Sequence, residues 1–157
     1  MITERAKKVK KSTIVSKPAA KSTSPVVAEA VNKVKPPIRS FRDLGTWQLA
    51  QELAVAVYRQ CELFPAQEGS VLTCQMTQAS VTTCASIAES FSRRGEERDR
   101  LFSNAQAALA RLESYVLIAS ELGFMAKGQC DDLTRRVSNT HWALLKLQKI
   151  NREWMER

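Results

Sequence analysis

The chain of 157 residues contains one histidine, His141, and four cysteines (Cys61, Cys74, Cys84 and Cys130) with no CxxC pair among them. A metal site built on His and Cys ligands is therefore not expected. Free thiols in a reducing cytoplasm are expected instead. No apolar run approaches the roughly 20 residues needed to span a bilayer, so no membrane partner is expected. The first lysines are not followed by an apolar block of about 7–15 residues, which argues against a secretory signal. Their Lys-rich rather than Arg-rich character argues against a transit peptide. There is no strand periodicity and no glycine loop of the kind that cradles nucleotide phosphates. No cofactor or small-molecule substrate is expected.

What is present is divided sharply along the chain. Residues 1–39 hold ten Lys/Arg against two acids, Glu4 and Glu29, a balance of +8 that equals the charge of the whole chain. Residues 40–157 hold fourteen of each sign. The first segment also takes four of the five prolines, whereas all three Trp and all five Phe lie after it. Few bulky apolar groups are available there to offset the entropy of ordering, so a disordered tail is expected. Its cations, Lys7, Lys8, Lys10, Lys11, Lys17, Lys21, Lys33, Lys35 and Arg39, are candidate contacts to nucleic-acid phosphates.

The remaining 118 residues suffice for one domain with a single core. Their apolar spacing is helical, and it predicts helices over about 42–63, 70–94, 97–122 and 129–155. In the first helix Leu49, Leu53, Val57, Cys61 and Phe64 form a stripe with Tyr58 beside it, and Pro65 ends it. In the second, Ser70 is a plausible cap and Gly95 a stop, while Thr and Ser crowd the middle. Such hydroxyls can return hydrogen bonds to the i−4 carbonyl, which makes their burial tolerable.

The third helix carries two apolar rows. Phe102, Ala105, Leu109, Leu112, Val116 and Ala119 form one, and Leu101, Ala108, Tyr115 and Leu122 the other. A face that wide should contact two neighbours. The fourth carries Leu133, Val137, Thr140, Leu144 and Leu147, then Trp154, with Lys146, Lys149, Arg152 and Arg157 loading its far end. Four long helices with short connections predict an all-α, antiparallel up-down four-helix bundle.

Catalytic constellations are missing from this pattern. His141 sits beside Trp142 with Ser138, not Glu, three residues earlier, so the Glu-x-x-His pairs of di-iron bundles are not formed. Glu89 and Glu113 lie next to apolar rows and are expected to be structural or interhelical, for example through a Glu89–Arg93 pair. The corner reading Arg93-Arg94-Gly95-Glu96-Glu97-Arg98-Asp99-Arg100 allows two readings. It is either a solvated turn laced by pairs such as Glu96 with Arg100, or an arginine cluster of Arg93, Arg94, Arg98 and Arg100 that meets phosphates or an acidic partner.

Phe41-Arg42-Asp43-Leu44, Trp47-Gln48-Leu49-Ala50 and Phe64-Pro65 together resemble the opening of a bacterial four-helix-bundle family. The likeness continues through Ser86-Ile87-Ala88-Glu89, Leu101-Phe102, Leu112-Glu113, Leu117-Ile118-Ala119 and Leu122-Gly123-Phe124. That family comprises proteins encoded in ribosomal RNA intervening sequences and accessory variability proteins of diversity-generating retroelements. The resemblance covers the body and none of the tail. Where family members typically have Pro and Asn before Ile-Ala-Glu and Gly after it, this chain has Cys84, Ser86 and Ser90. Ala107-Ala108 replaces a Gly-Ser pair, and Arg111 a Glu. These departures lean towards a specialised retroelement member. The resemblance implies a non-enzymatic, cytoplasmic homopentamer that binds reverse transcriptase and RNA or RNA/DNA. The alternatives are a ribosomal RNA intervening-sequence-type protein and a purely protein–protein scaffold. Trp154 and Tyr115 are candidate subunit contacts.

Overall fold

Ser40 fixes how the chain enters the domain. In the computed structural model, which describes residues 37–66 and 70–157, its hydroxyl accepts from the Arg42 N–H at 3.3 Å. The Asp43 carboxylate accepts the N–H groups of Arg39 and Ser40, each at 2.9 Å. These bonds close a 3-10 turn over Phe41–Asp43, and Leu44 then interrupts it in an extended conformation. The first α-helix, α1, therefore spans Gly45–Cys61 rather than starting at residue 42. Phe41 packs edge-on against Trp47, with ring centroids 5.0 Å apart.

Three further helices follow: α2 (Ser70–Ser92), α3 (Gly95–Glu121) and α4 (Lys127–Met155). Each packs on its sequence neighbours, and α4 closes the ring on α1, which gives the antiparallel up-down four-helix bundle. The unit so formed is Pro37–Arg157; the tail cations Lys7 to Lys35 and the expected disorder of their segment lie outside the described residues.

The core follows the apolar stripes. Leu53, Val57, Met76, Ile87, Leu112 and Leu144 are almost wholly buried. Both rows of α3 are used, on α2 and on α4. The hydroxyls of α2 bond within their own helix: Thr77 to the Thr73 carbonyl at 2.8 Å, Thr83 to Ala79 at 3.0 Å, Ser90 to Ile87 at 2.6 Å. Thr83 and Ser90 are thus buried without needing a partner on another helix.

The stripes fail at their ends. Tyr58 and Leu122 are half exposed or more; on α1 the buried row runs through Val57, Cys61 and Phe64, and Tyr58 stands outside it. On α4 the buried row leaves the expected course after Leu144. Gln148 and Asn151 turn inward, and Trp154 is 72 % exposed. The helix also begins at Lys127, two residues before the predicted start. The Gln129 side chain reaches back to accept the Ala126 N–H at 2.8 Å and so satisfies the first turn.

The connections set the geometry of the ends. Gly123 has φ +74 and closes α3: its N–H reaches Ser120 O at 3.0 Å and Phe124 N–H reaches Ala119 O at 2.9 Å. This is the Schellman pattern, for which glycine is the favoured residue. Phe124 is thereby carried onto Phe64, with centroids 5.6 Å apart. At the other end Arg93 and Arg94 alone join α2 to Gly95, whose φ is +59.

Candidate nucleic-acid interface

The up-down topology brings four termini to one end of the bundle: the starts of α1 and α3, and the ends of α2 and α4. Residue 37, where the described chain begins, enters at this same end, because the Phe41–Asp43 turn packs on α1 and α2. Many of the basic positions of the described chain lie there too, with Arg59, Arg111, Lys127, Arg135 and Arg136 elsewhere in the bundle. Those at this end come from the entry (Arg39, Arg42), the α2–α3 corner (Arg93 to Arg100) and the last turns of α4.

Three of these arginines are committed to structure. Arg98 Nε donates to Ser90 O at 3.0 Å and so caps a carbonyl at the end of α2. Arg93 lies 3.5 Å from Glu97, with both side chains about half exposed. Arg152 donates to both carboxylate oxygens of Asp99, at 2.9 and 3.0 Å. These donated bonds hold the Asp99 carboxyl below the usual carboxylate range, outweighing burial, which pushes it up.

The expected Glu89–Arg93 pair is not formed. α2 ends at Ser92, so Arg93 has left the helix on which an i,i+4 approach depends, and it stands instead one turn before Glu97. Glu89 is exposed, and the Glu96–Arg100 pair is also not among the ion pairs of the described residues. Glu113 is half-buried on α3, where it lines a groove of about 170 Å³ with Ser138, His141 and Trp142 of α4. It makes no ion pair there.

Sequence reasoning missed the polar seam between α3 and α4. Gln106 donates to Gln148 at 2.6 Å, Gln148 donates to the Ser103 hydroxyl at 3.3 Å, and Asn151 donates to Gly95 O at 3.3 Å. Gln148 and Asn151 are 4 % and 7 % exposed, so these bonds offset a burial that would otherwise be costly. The signal was available: 144, 148 and 151 continue the inward spacing of 133, 137, 140 and 144, with amides in place of apolar groups.

What remains open at this end is a set of uncommitted cations. Arg39, Arg42, Arg94 and Arg100 are exposed and form no ion pair among the described residues. Arg42 lies over the Phe41 ring, 5.7 Å from its centroid. Guanidinium groups free of carboxylates present fork-shaped donors suited to phosphate oxygens. Among the described residues, no group of three His, Cys, Asp or Glu is placed to hold a metal ion. No described helix is long and apolar enough to cross a membrane.

The model of the 23S rRNA-intervening sequence proteins matches residues 42–146. The chain belongs to the 23S rRNA-intervening sequence protein family. The match covers well over half the chain and spans the four helices up to Lys146, leaving the last turns of α4 and the basic N-terminal segment outside it. No curated protein matches the chain. Within this family member the apolar frame therefore follows the common pattern, while the charged tail and the Gln148–Arg152 end of α4 lie beyond it.

Proposed function

We propose that this chain is a non-enzymatic, nucleic-acid-associated homo-oligomeric scaffold of the cytoplasm. In this reading it is an accessory protein of a diversity-generating retroelement that binds reverse transcriptase and RNA. The observation that carries the nucleic-acid part is the cation supply: residues 1–39 hold a balance of +8, and Arg39, Arg42, Arg94 and Arg100 are exposed with no ion pair among the described residues, so each is available to phosphates. A homopentamer would multiply this to about +40 around one ring, from five tails of +8 each. Affinity would then come mainly from the tails, and register and multiplicity from the bundles.

A filter-binding salt titration with generic RNA tests this reading, comparing the full chain with residues 40–157. The full chain should bind with a steep negative dependence on salt. The truncated chain should keep its helical content and oligomeric state but lose most of its affinity. Equal affinity for the two chains would sink the tail mechanism, and no salt dependence would favour a protein–protein scaffold. The family description favours a second reading, a ribosomal RNA intervening-sequence-type protein. Genomic position separates the two: a neighbouring reverse transcriptase gene with template and variable repeats supports the first, and placement inside a ribosomal RNA gene the second.

A further inference from the structure

Trp154 stands in the last turn of α4, 72 % exposed, with the Arg157 guanidinium 5.7 Å from its ring centroid. Ile150, one turn earlier and 52 % exposed, shares its face of the helix. An indole presented this openly leaves a large flat apolar surface in water. Its base is nevertheless fixed, because Asn151 and Arg152 tie the same turn of α4 to Gly95 and Asp99 of α3. The turn that carries the ring is thus anchored, while the ring itself stays 72 % exposed.

The surroundings distinguish among occupants. Glu153 is drawn to Lys149 at 4.0 Å, and Arg157, beside the ring, forms no ion pair among the described residues. Arg94 and Arg100 stand at the same end of the bundle. An aromatic face flanked by guanidinium groups matches a nucleobase flanked by phosphates: the base stacks on the ring and the phosphates meet the cations. A duplex buries its base faces in its own stack, so it cannot use such a face without unpairing.

We propose that Trp154, with Arg157, is a base-stacking platform that selects single-stranded over double-stranded nucleic acid. This rests on the nucleic-acid reading above and adds to it the strand form and the residue that senses it. Fluorescence anisotropy of the full chain with a labelled 20-nucleotide oligouridylate and with a 20-base-pair RNA duplex tests it. Trp154→Ala should weaken single-strand binding by roughly tenfold, as loss of one stacked base does. Trp154→Phe should retain most of the affinity, and duplex binding should be unchanged in both variants. Single-strand affinity unaffected by Trp154→Ala, or an equal loss for strand and duplex, would overturn the platform while leaving the nucleic-acid reading intact. A wild-type chain that binds neither ligand would overturn both. Because the side chain is exposed, the alanine variant should melt with the wild type, and a thermal scan checks this.

Discussion

The Asp99 carboxylate accepts two hydrogen bonds from Arg152, a residue 53 positions away, and this pair fastens the beginning of α3 to the last turns of α4. The Asp99 carboxyl is held below its usual range chiefly by those donated bonds. Its folded value thus lies below the unfolded value of about 3.9. The stabilisation is present above the unfolded value and is lost as pH falls through the folded one. Asp132 adds a contribution of the same sign, held down first by Arg136 and then by Arg135. Asp99→Asn should lower the melting temperature at pH 7 and narrow the gap to wild type by pH 3. A gap that stays constant across that range would show that the charge is not what stabilises.

Gln148 should be more sensitive than its polarity suggests. Truncation to Ala empties a buried site and takes away the acceptor of the Gln106 amide. A loss of about 1–3 kcal/mol is expected in urea unfolding, from that unsatisfied donor alone. A loss below about 0.5 kcal/mol would mean that water replaces the amide without penalty.

Gly95 and Gly123 have left-handed backbones, and open space surrounds the position of an added Cβ at each. The cost of alanine is therefore conformational rather than steric, on the order of 1–2 kcal/mol per site. Chemical denaturation of Gly95→Ala and Gly123→Ala measures it directly. Their effects should add in the double variant, since the two lie at opposite ends of α3 and share no partner.

Arg94 and Arg100 make no ion pair among the described residues, so replacing both with Ala should leave the melting temperature nearly unchanged. Generic single-stranded RNA should bind the variant with a shallower salt dependence. The slope should fall by about 1.4 per subunit if both guanidiniums meet phosphates, at roughly 0.7 each. An unchanged slope would remove the corner from the interface and leave the tail alone.

The thiols should react in a fixed order. Burial pushes the Cys84 thiol up to about 11 and raises Cys61 as well, against a hydrogen bond that pulls each the other way. Only Cys74 is exposed. At pH 8 the thiolate fraction of Cys84 is thus small, and iodoacetamide should label Cys74 first. Mass spectrometry resolves the sites, and Cys84 labelled as fast as Cys74 would contradict this order.

Much of the bundle was legible because apolar spacing reports directly on which face is buried. Leu53, Val57, Leu109, Leu112, Val116 and Leu144 all lie where their spacing places them. The i−4 bonds of the α2 hydroxyls were also readable, since they depend on local helix geometry alone. What was not readable depends on two helices at once. Gln148 and Asn151 keep the inward spacing of α4, but which partners make their amides buriable depends on α3 supplying Ser103 and the Gly95 carbonyl. Glu89 and Arg93 have helical spacing until the α2–α3 corner removes Arg93 from the helix. The clustering of Arg39, Arg42, Arg94 and Arg100 at one end follows from topology rather than from any motif.

The self-contained bonds of α2 bear on how sequences in this family can drift. A hydroxyl satisfied by its own backbone makes no demand on the facing helix, so Ser, Thr, Ala and Cys can replace one another along α2 singly. Cys84, Ser86 and Ser90, three of this chain's departures from the common pattern, all fall there. Gln148 cannot change so freely, because Gln106 and Ser103 on α3 would lose their partner. Related sequences should thus vary independently along α2 and in matched pairs across the α3–α4 seam.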